Sequence, residues 1–233
     1  MKDYTLYIFD FDNTLFDTSF GIKVILDHAL PSVGATYDDS RFLEFAGLTM
    51  EQVFDRFGKD ESQREEFYRR FTEAVHSDVY LSSEPFPETA RVLRELKGRG
   101  KRIAIASGKF RYKIVNLMEK AGLSDVPEAI VGYHETERHK PYPDPIVKAM
   151  SFFDVPREET VYIGDCPHDA VAAEAAGIDS VIVNRHNGLT ADGTPCTWEI
   201  DSLDGLLDVR LGSGSSGARE PRRRARIPPW RPW

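Results

Sequence analysis

LYIFDFDNT, at residues 6–14, combines a short apolar run with two carboxylates spaced two residues apart. A nearly continuous apolar run of about four to eight residues is typical of a strand that is covered on both faces. Asp10 and Asp12 follow this run, and burying carboxylates is costly unless another group pairs with them. The stretch therefore predicts a buried strand that brings two acidic side chains to one end of a sheet.

Similar apolar runs recur along the chain, and helical patterns alternate with them. The runs predict strands at 102–107, 129–132, 160–164 and 180–184. The helical patterns lie at 89–97, 112–121, 145–153 and 170–176. Strands that alternate with helices indicate a doubly wound α/β fold with a parallel sheet. In such folds ligands bind at the carboxyl ends of the strands, where Asp10 and Asp12 are placed.

Residues 18–85 interrupt this alternation with helical patterns and no convincing strand. Ile22, Ile25 and Leu26 form one apolar stripe at helical spacing. The segment is too long for an ordinary loop. We interpret it as a helical cap above the strand ends, so that 1–17 and 86–211 form the α/β core.

The C-terminal residues 212–233 differ from the rest in composition and charge. A Gly/Ser run at 212–217 is typical of a linker, and the Arg-, Pro- and Trp-rich remainder predicts disorder. This tail carries +5 of the net charge of −8, which leaves −13 on the remaining chain. An acidic body disfavours nucleic acid as a partner. The tail's Arg and Trp residues leave contact with an anionic membrane surface open as an alternative to a plain disordered extension.

Composition restricts the class of protein. With 41% hydrophobic and 29% charged residues, the chain is typical of a globular protein. No apolar run approaches the roughly 18 residues of a membrane span, and no signal-peptide core follows Met1. The two cysteines, Cys166 and Cys196, provide no disulfide framework. We expect a cytoplasmic protein without a membrane span.

Three more polar motifs follow predicted strands or precede predicted helices. They are ASGK at 106–109 with Ser107, HKPYPDP at 139–145 with Lys140, and GDCPHD at 164–169 with Asp165 and Asp169. Parallel strands bring their carboxyl ends to one sheet edge, so these groups are expected to converge with Asp10. Carboxylates, a lysine and a hydroxyl at one edge suit phosphoryl transfer, which depends on positioning and on cancelling oxygen charge.

With these four motifs in this order, the sequence resembles the phosphatase branch of the haloacid dehalogenase superfamily over 1–208. The resemblance implies that Asp10 attacks phosphorus and forms an aspartyl-phosphate. It implies that Asp12 protonates the leaving oxygen, then activates the water, and ligates a metal through its main-chain carbonyl. Lys140 would neutralise negative charge.

The resemblance also implies a Mg²⁺ cofactor and a set of phosphate-binding groups. The metal ligands would be Asp10, Asp12, Asp165 and Asp169, although Asp169 could instead brace the site. The groups that contact the substrate in the core would be Thr14, Ser107, Gly108 and Lys109.

In the predicted cap, residues 47–50 resemble a turn that faces the active site in the superfamily. Thr49 and Arg56 are therefore candidate substrate-binding residues, and Arg41 is a further candidate. The alternative for the two arginines is a solvated helix face.

The acid at Asp12 favours phosphate esters, because dehalogenases and phosphonatases of the superfamily characteristically lack an acid there. The sequence is similar to phosphoglycolate phosphatases, which implies a small phosphorylated metabolite, phosphoglycolate-like or a sugar phosphate, as the substrate. Pyrophosphatase, nucleotidase and sugar-phosphate mutase activities remain alternatives. A catalytically silent regulatory protein on the same fold is the alternative outside enzymes.

Overall fold

The strand Leu6–Phe9 (β1) lies at the centre of the sheet in the computed structural model. All four of its residues are buried, and successive side chains point to opposite faces. Tyr7 and Phe9 belong to one hydrophobic cluster, whereas Leu6 and Ile8 belong to another. The strand is therefore covered on both faces, as its apolar run predicts. The structure describes residues 1–40, 45, 47–185 and 196–208.

Seven further strands lie in the described part of the chain: β2 (Phe16–Asp17), β3 (Glu84–Pro85), β4 (Arg102–Ala106), β5 (Ala129–Val131), β6 (Thr160–Gly164), β7 (Asp179–Val183) and β8 (Trp198–Ile200). Six strands form one parallel sheet in the order β5-β4-β1-β6-β7-β8. β2 and β3 form a separate antiparallel pair. β1 thus lies between β4 and β6, so the chain segments that follow these three strands are neighbours.

The described helices are α1 (Ser19–Ala29), α2 (Met50–Phe57), α3 (Arg64–His76), α4 (Thr89–Gly98), α5 (Arg111–Lys120), α6 (Asp144–Met150) and α7 (Pro167–Ala176). α4 and α5 pack on the face of the sheet that carries Tyr7 and Phe9, and α6 and α7 pack on the opposite face. This arrangement confirms the predicted doubly wound α/β fold.

α1, α2 and α3 lie between β2 and β3, in a region that we call the helical insert (residues 18–83). The insert has its own hydrophobic cluster, in which Leu26, Phe54 and Phe67 are buried. Its two ends adjoin, because Phe16 pairs with Pro85 and the main-chain N–H of Phe86 donates to Leu15 O at 3.1 Å. The insert therefore leaves and rejoins the α/β part at one place.

The structure differs from the predicted elements at several points. β2 and β8 were not predicted, and β3 lies within the segment predicted to lack strands; all three are too short to give an apolar run. α7 begins at Pro167 rather than at 170. α6 ends at Met150 rather than 153, because the chain tightens there and Phe153 N donates to Met150 O at 3.0 Å. The predicted tail at 212–233 and Arg41 lie outside the described residues.

Within the described ranges, no helix has both the length and the apolar character needed to cross a bilayer.

Candidate active site

The carboxyl ends of β1, β4 and β6 bring together three of the polar residues singled out in the sequence. Asp10, Ser107 and Asp165 each come directly after one of these strands. All three are almost fully buried, with 3–4% of their surface exposed. Because the strands are adjacent and parallel, the three side chains lie at one edge of the sheet.

Lys140 joins two buried carboxylates at this edge. Its ammonium nitrogen lies 2.9 Å from Asp10 Oδ1 and 2.6 Å from Asp169 Oδ1. Burial by itself would lower the pKa of Lys140, but the carboxylates of Asp10 and Asp169 hold this pKa well above its ordinary value. The lysine is therefore a permanent positive charge beside Asp10.

Asp169 braces the loop after β6. One of its oxygens accepts the hydrogen bond from Lys140, and the other accepts from the main-chain N–H groups of Asp165 at 3.0 Å and Cys166 at 3.1 Å. Burial alone would raise the pKa of Asp169, but Lys140 and the hydrogen bonds lower it. With both oxygens engaged, Asp169 fits the bracing role better than the role of metal ligand.

Asp10 lies in a local excess of negative charge. Burial raises the pKa of Asp10 to about 7; Lys140 opposes the shift, whereas Asp169, Asp165 and Asp12 increase it. One buried ammonium thus faces several carboxylates, and a further cation at this edge would offset their mutual repulsion and favour the ionised form of Asp10.

The donor atoms at this edge fit Mg²⁺. The carboxylates of Asp10 and Asp165 are hard oxygen ligands, and Asp165 belongs to a compact buried group with Cys166 and Asp169. The hydroxyl of Thr14 donates to Asp165 Oδ1 at 3.3 Å, which orients that carboxylate from behind. These residues therefore fit the cation that the sequence resemblance implies.

Asp12 is more accessible than Asp10. Its side chain is 27% exposed, and its Oδ1 lies 2.7 Å from the ammonium of Lys109. The main-chain N–H of Lys109 donates to Ser107 Oγ at 3.4 Å within the loop after β4, and the ammonium of Lys109 links this loop to the loop after β1. Asp12 can reach a ligand in the adjacent cavity, as an acid for a leaving group must.

The loop after β1 is held by hydrogen bonds with residues close to it in sequence and with residues far from it in sequence. Asn13 adopts the left-handed conformation with φ of 54°, which asparagine tolerates well, and its Oδ1 accepts from Thr18 N at 3.2 Å. Arg185 donates to Thr14 O at 2.9 Å and pairs with Glu88 at 2.6 Å. The sequence analysis did not identify this role of Arg185.

A cavity of about 230 Å³ lies between the sheet edge and the helical insert. Its polar lining includes Asp10, Asp12, Lys109, Lys140 and Asp165 from the sheet side. Its lining from the insert is mainly apolar: Ile22, Ile25, Leu26, Phe45, Leu48, Met50, Val53, Phe71, Val75 and Val79. A small ligand in this cavity would contact both parts of the molecule.

Two hydrogen bonds join the start of α2 to the sheet side of the cavity. Gln52 Nε2 donates to the main-chain oxygen of Lys140 at 3.2 Å. The hydroxyl of Tyr133 donates to the carboxylate of Glu51 at 3.2 Å. Burial raises the pKa of Tyr133 to about 12 and Glu51 adds to this shift, so the phenol remains a donor at neutral pH.

Gly47 brings the turn before α2 close to the loop after β6. Its φ is 73°, and a Cβ at this position would lie 2.9 Å from the sulfur of Cys166. A side chain would therefore be strained by the backbone and would also push the turn away. Glycine allows the close approach.

The predicted substrate-binding residues of the insert have different positions. Thr49 lines the cavity, and its hydroxyl also caps α2 by accepting from Gln52 N at 3.4 Å. Arg56 is exposed and is not among the residues that line the cavity, which agrees with the solvated alternative. Gly108 and Lys109 line the cavity on the sheet side, and their contact with substrate stays a prediction.

Sequence reasoning missed Lys113, which also lines the cavity. The available signal was its spacing, because Lys113 shares the buried stripe of α5 with Ile114 and Leu117. A lysine at an apolar position of an amphipathic helix is unusual unless its ammonium has a specific use.

The chain belongs to the haloacid dehalogenase-like hydrolase family, whose model matches residues 7–183. It is therefore a hydrolase by family. It is 31% identical over 181 residues to a protein of Caldanaerobacter subterraneus provisionally named pyrophosphatase PpaX, covering 77% of this chain and 81% of that protein.

Two solved structures share the fold. A haloacid dehalogenase-like hydrolase from Bacteroides fragilis superposes with a TM-score of 0.79 at 30% identity, covering 88% of this chain and 100% of that one. A protein from Lactobacillus plantarum, provisionally named phosphoglycolate phosphatase, superposes with a TM-score of 0.77 at 19% identity, covering 88% of this chain and 98% of that one.

Proposed function

We propose that this protein is a Mg²⁺-dependent phosphatase that hydrolyses a small phosphorylated metabolite through an aspartyl-phosphate on Asp10. The observation that carries the proposal is the buried row of Asp10, Lys140 and Asp169 beside Asp165, next to the cavity between the sheet edge and the insert. Such a row is costly for stability alone, because desolvation opposes each buried charge. It suits a site that must bring a carboxylate to an anionic phosphate.

Two chemical steps follow from the positions of Asp10 and Asp12. A carboxylate oxygen of Asp10 attacks phosphorus while the bond from phosphorus to the leaving oxygen breaks. The carboxyl group of Asp12 gives its proton to that oxygen. Asp12 then accepts a proton from water, the water oxygen bonds to phosphorus, and the bond to Asp10 breaks. The products are the alcohol and orthophosphate, and both aspartates return to their starting states.

The neighbouring groups offset charge during these steps. The ammonium of Lys140 and the hydroxyl of Ser107, with the main-chain amides of Gly108 and Lys109, bind phosphoryl oxygens. Asp10, Asp165 and the main-chain carbonyl of Asp12 would hold Mg²⁺, which when bound supplies positive charge beside those oxygens.

The helical insert acts as a cap in this proposal. The contacts of Glu51 and Gln52 with the sheet side, and the approach of Gly47 to Cys166, support closure over Asp10. The cavity volume of about 230 Å³ suits a small molecule such as a phosphoglycolate-like acid or a sugar phosphate. The cap would comprise 18–85 and the α/β core 1–17 and 86–211.

Pyrophosphate hydrolysis is a second candidate, favoured by the name of the Caldanaerobacter relative. Orthophosphate is a better leaving group than an alkoxide, so this reaction depends less on an acid. Replacing Asp12 by Asn would therefore affect pyrophosphate less than an alkyl phosphate.

The test is orthophosphate release from p-nitrophenyl phosphate, pyrophosphate and a panel of phosphorylated metabolites, with Mg²⁺ or with a chelator. We expect chelation to lower kcat/KM by at least about 10³-fold. Asp165→Ala should raise the Mg²⁺ concentration needed for half-maximal activity or remove activity, whereas the exposed Asp201→Ala is the matched control. Full activity after exhaustive chelation, or no release from any substrate with Mg²⁺, would refute the proposal.

A further inference from the structure

Lys113 is a buried lysine that the proposed chemistry does not use. It lies in the first turn of α5, 4% of its surface is exposed, and it lines the same cavity as Asp10. A lysine with its ammonium in a largely apolar cavity loses much of its hydration. The contacts of this ammonium therefore indicate what it is available to bind.

The contacts of Lys113 are weaker than those of the other cavity lysines. Its ammonium donates to the main-chain oxygen of Val75, at the end of α3. Three aromatic rings surround it, with centroids 4.9 Å away for Tyr80, 5.6 Å for Phe110 and 5.8 Å for Tyr112. An ammonium has three N–H donors, so one carbonyl leaves capacity for further acceptors.

Lys113 differs from the other two lysines of the cavity in how its charge is compensated. Lys140 is paired with Asp10 and Asp169, and Lys109 is paired with Asp12. For Lys113, no carboxylate in the described ranges lies within ion-pair distance. Burial lowers the pKa of Lys113 to about 8, the nearby ammonium of Lys109 lowers it further, and Asp12 opposes the shift.

We propose that Lys113 binds a second anionic group of the substrate, a carboxylate or a phosphate, in addition to the phosphate that Asp10 attacks. The inference rests on the proposed phosphatase function and deepens it by naming the substrate class. Lys113 determines specificity and takes no part in the chemical steps. The ligand's anion completes the partial set of partners around the ammonium, and the apolar wall of the insert excludes competing water.

A structural role for Lys113 makes a different prediction. Its hydrogen bond to Val75 O satisfies one of the carbonyls at the end of α3, as basic side chains often do. If capping were its only role, its replacement would loosen the insert and weaken activity on all substrates alike. A binding role instead makes the loss depend on the second anion.

The experiment compares Lys113→Met with the wild-type protein on 2-phosphoglycolate, pyrophosphate and ethyl phosphate. Ethyl phosphate has a methyl group where 2-phosphoglycolate has its carboxylate. We expect kcat/KM to fall at least tenfold on 2-phosphoglycolate or on pyrophosphate, and less than threefold on ethyl phosphate. The more affected of the first two identifies the second group as carboxylate or phosphate. Lys113→Arg should retain most of the preference, and Lys148→Met, in the exposed part of α6, should retain all of it.

Equal losses on all three substrates would assign Lys113 to capping alone and overturn the proposal, as would no loss on any. A measurement on the wild-type protein covers the case in which Lys113→Met does not fold. At fixed free Mg²⁺ and pH 7, phosphonoacetate or methylenediphosphonate should inhibit p-nitrophenyl phosphate hydrolysis at least tenfold more strongly than ethylphosphonate. Equal inhibition constants for all three compounds would overturn the proposal.

Failure of the phosphatase proposal itself gives a separate result. In that case the wild-type protein hydrolyses none of the phosphate compounds, and calorimetric titration with phosphonoacetate, methylenediphosphonate and ethylphosphonate replaces the inhibition assay. Tighter binding of phosphonoacetate or methylenediphosphonate that depends on Lys113 still supports the second-anion site, and equal binding of all three still rejects it.

Discussion

The sheet edge and the helical insert face each other across one cavity, but they differ in the side chains that they present to it. At the sheet edge, buried charges are paired closely, as in the row of Asp10, Lys140 and Asp169. The insert presents mainly apolar side chains, and its contacts with the sheet side include single hydrogen bonds that Gln52 donates to Lys140 O and that Glu51 accepts from Tyr133. Under the proposed function, this difference assigns the chemistry to the edge and the selection and enclosure of the ligand to the insert.

The sharpest test of this comparison is Asp10→Asn, since it removes a charge at the edge without changing side-chain size. We expect kcat to fall by at least about 10⁴-fold, because an amide is a poor nucleophile toward phosphorus. Asp17→Asn, at the exposed end of β2 just before the insert, should leave kcat within about twofold. Orthophosphate release and circular dichroism on both variants measure the effect. Substantial turnover by correctly sequenced Asp10→Asn would remove the nucleophile from this position.

Asp12→Asn tests whether the second carboxylate of the edge protonates the leaving group. General acid catalysis accelerates a reaction by about 10²- to 10⁴-fold, and the acceleration is largest when the leaving oxygen is strongly basic. We therefore expect kcat/KM to drop at least about 10²-fold for ethyl phosphate, with a clearly smaller drop for p-nitrophenyl phosphate. A plot of log kcat/KM against leaving-group pKa should steepen in the variant. Parallel plots would contradict the assignment of Asp12 as the acid.

Tyr133→Phe tests the insert side, because it removes the hydrogen bond to Glu51 and preserves the ring. We expect kcat/KM to fall about three- to tenfold, since a typical hydrogen bond contributes roughly 0.5–1.5 kcal/mol. Glu51→Gln should give a similar loss, and the double variant should lose little more than either single variant. Tyr112→Phe, on the outer part of α5, is the control. Additive losses would show that the two side chains do not act as a pair.

The smallest expected effect concerns stability rather than rate. Burial raises the pKa of Asp10 above its unfolded value, so its contribution to stability without a metal is present in acid and is lost as pH rises toward about 7. Mg²⁺ competes with protons for this carboxylate, and its stabilisation should therefore grow with pH. We expect saturating Mg²⁺ to raise Tm by a few degrees more at pH 8 than at pH 6, roughly 1 kcal/mol. Asp10→Asn should lose most of this pH dependence, and a constant Mg²⁺ effect in the wild type would contradict the linkage.

The sequence alone predicts which side chains meet at the sheet edge, because the motifs there directly follow predicted strands. Asp10, Ser107 and Asp165 each follow a buried apolar run, and parallel pairing alone places them together. β8 escaped prediction because only three residues form it, and Glu199 in its middle is exposed. Short edge strands give little periodicity to detect.

The cavity's insert side could not be predicted in the same way. Whether Glu51 meets Tyr133, or Val75 meets Lys113, depends on how α2 and α3 sit over the sheet, which no local pattern encodes. Arg56 illustrates the problem, since its position in an amphipathic helix was compatible with a binding role and with an exposed one. Tertiary packing decides between such alternatives.

The pairing of β2 with β3 has a consequence for how this architecture can diversify. The insert departs after Asp17 and returns at Glu84, two residues that lie opposite each other in the pair. A segment whose two ends adjoin can be lengthened, shortened or exchanged without rerouting the rest of the chain. Recombination at two nearby points in the structure could thus give a lineage a new substrate preference in a single event. The reacting groups, inherited with the other segment, would keep their arrangement.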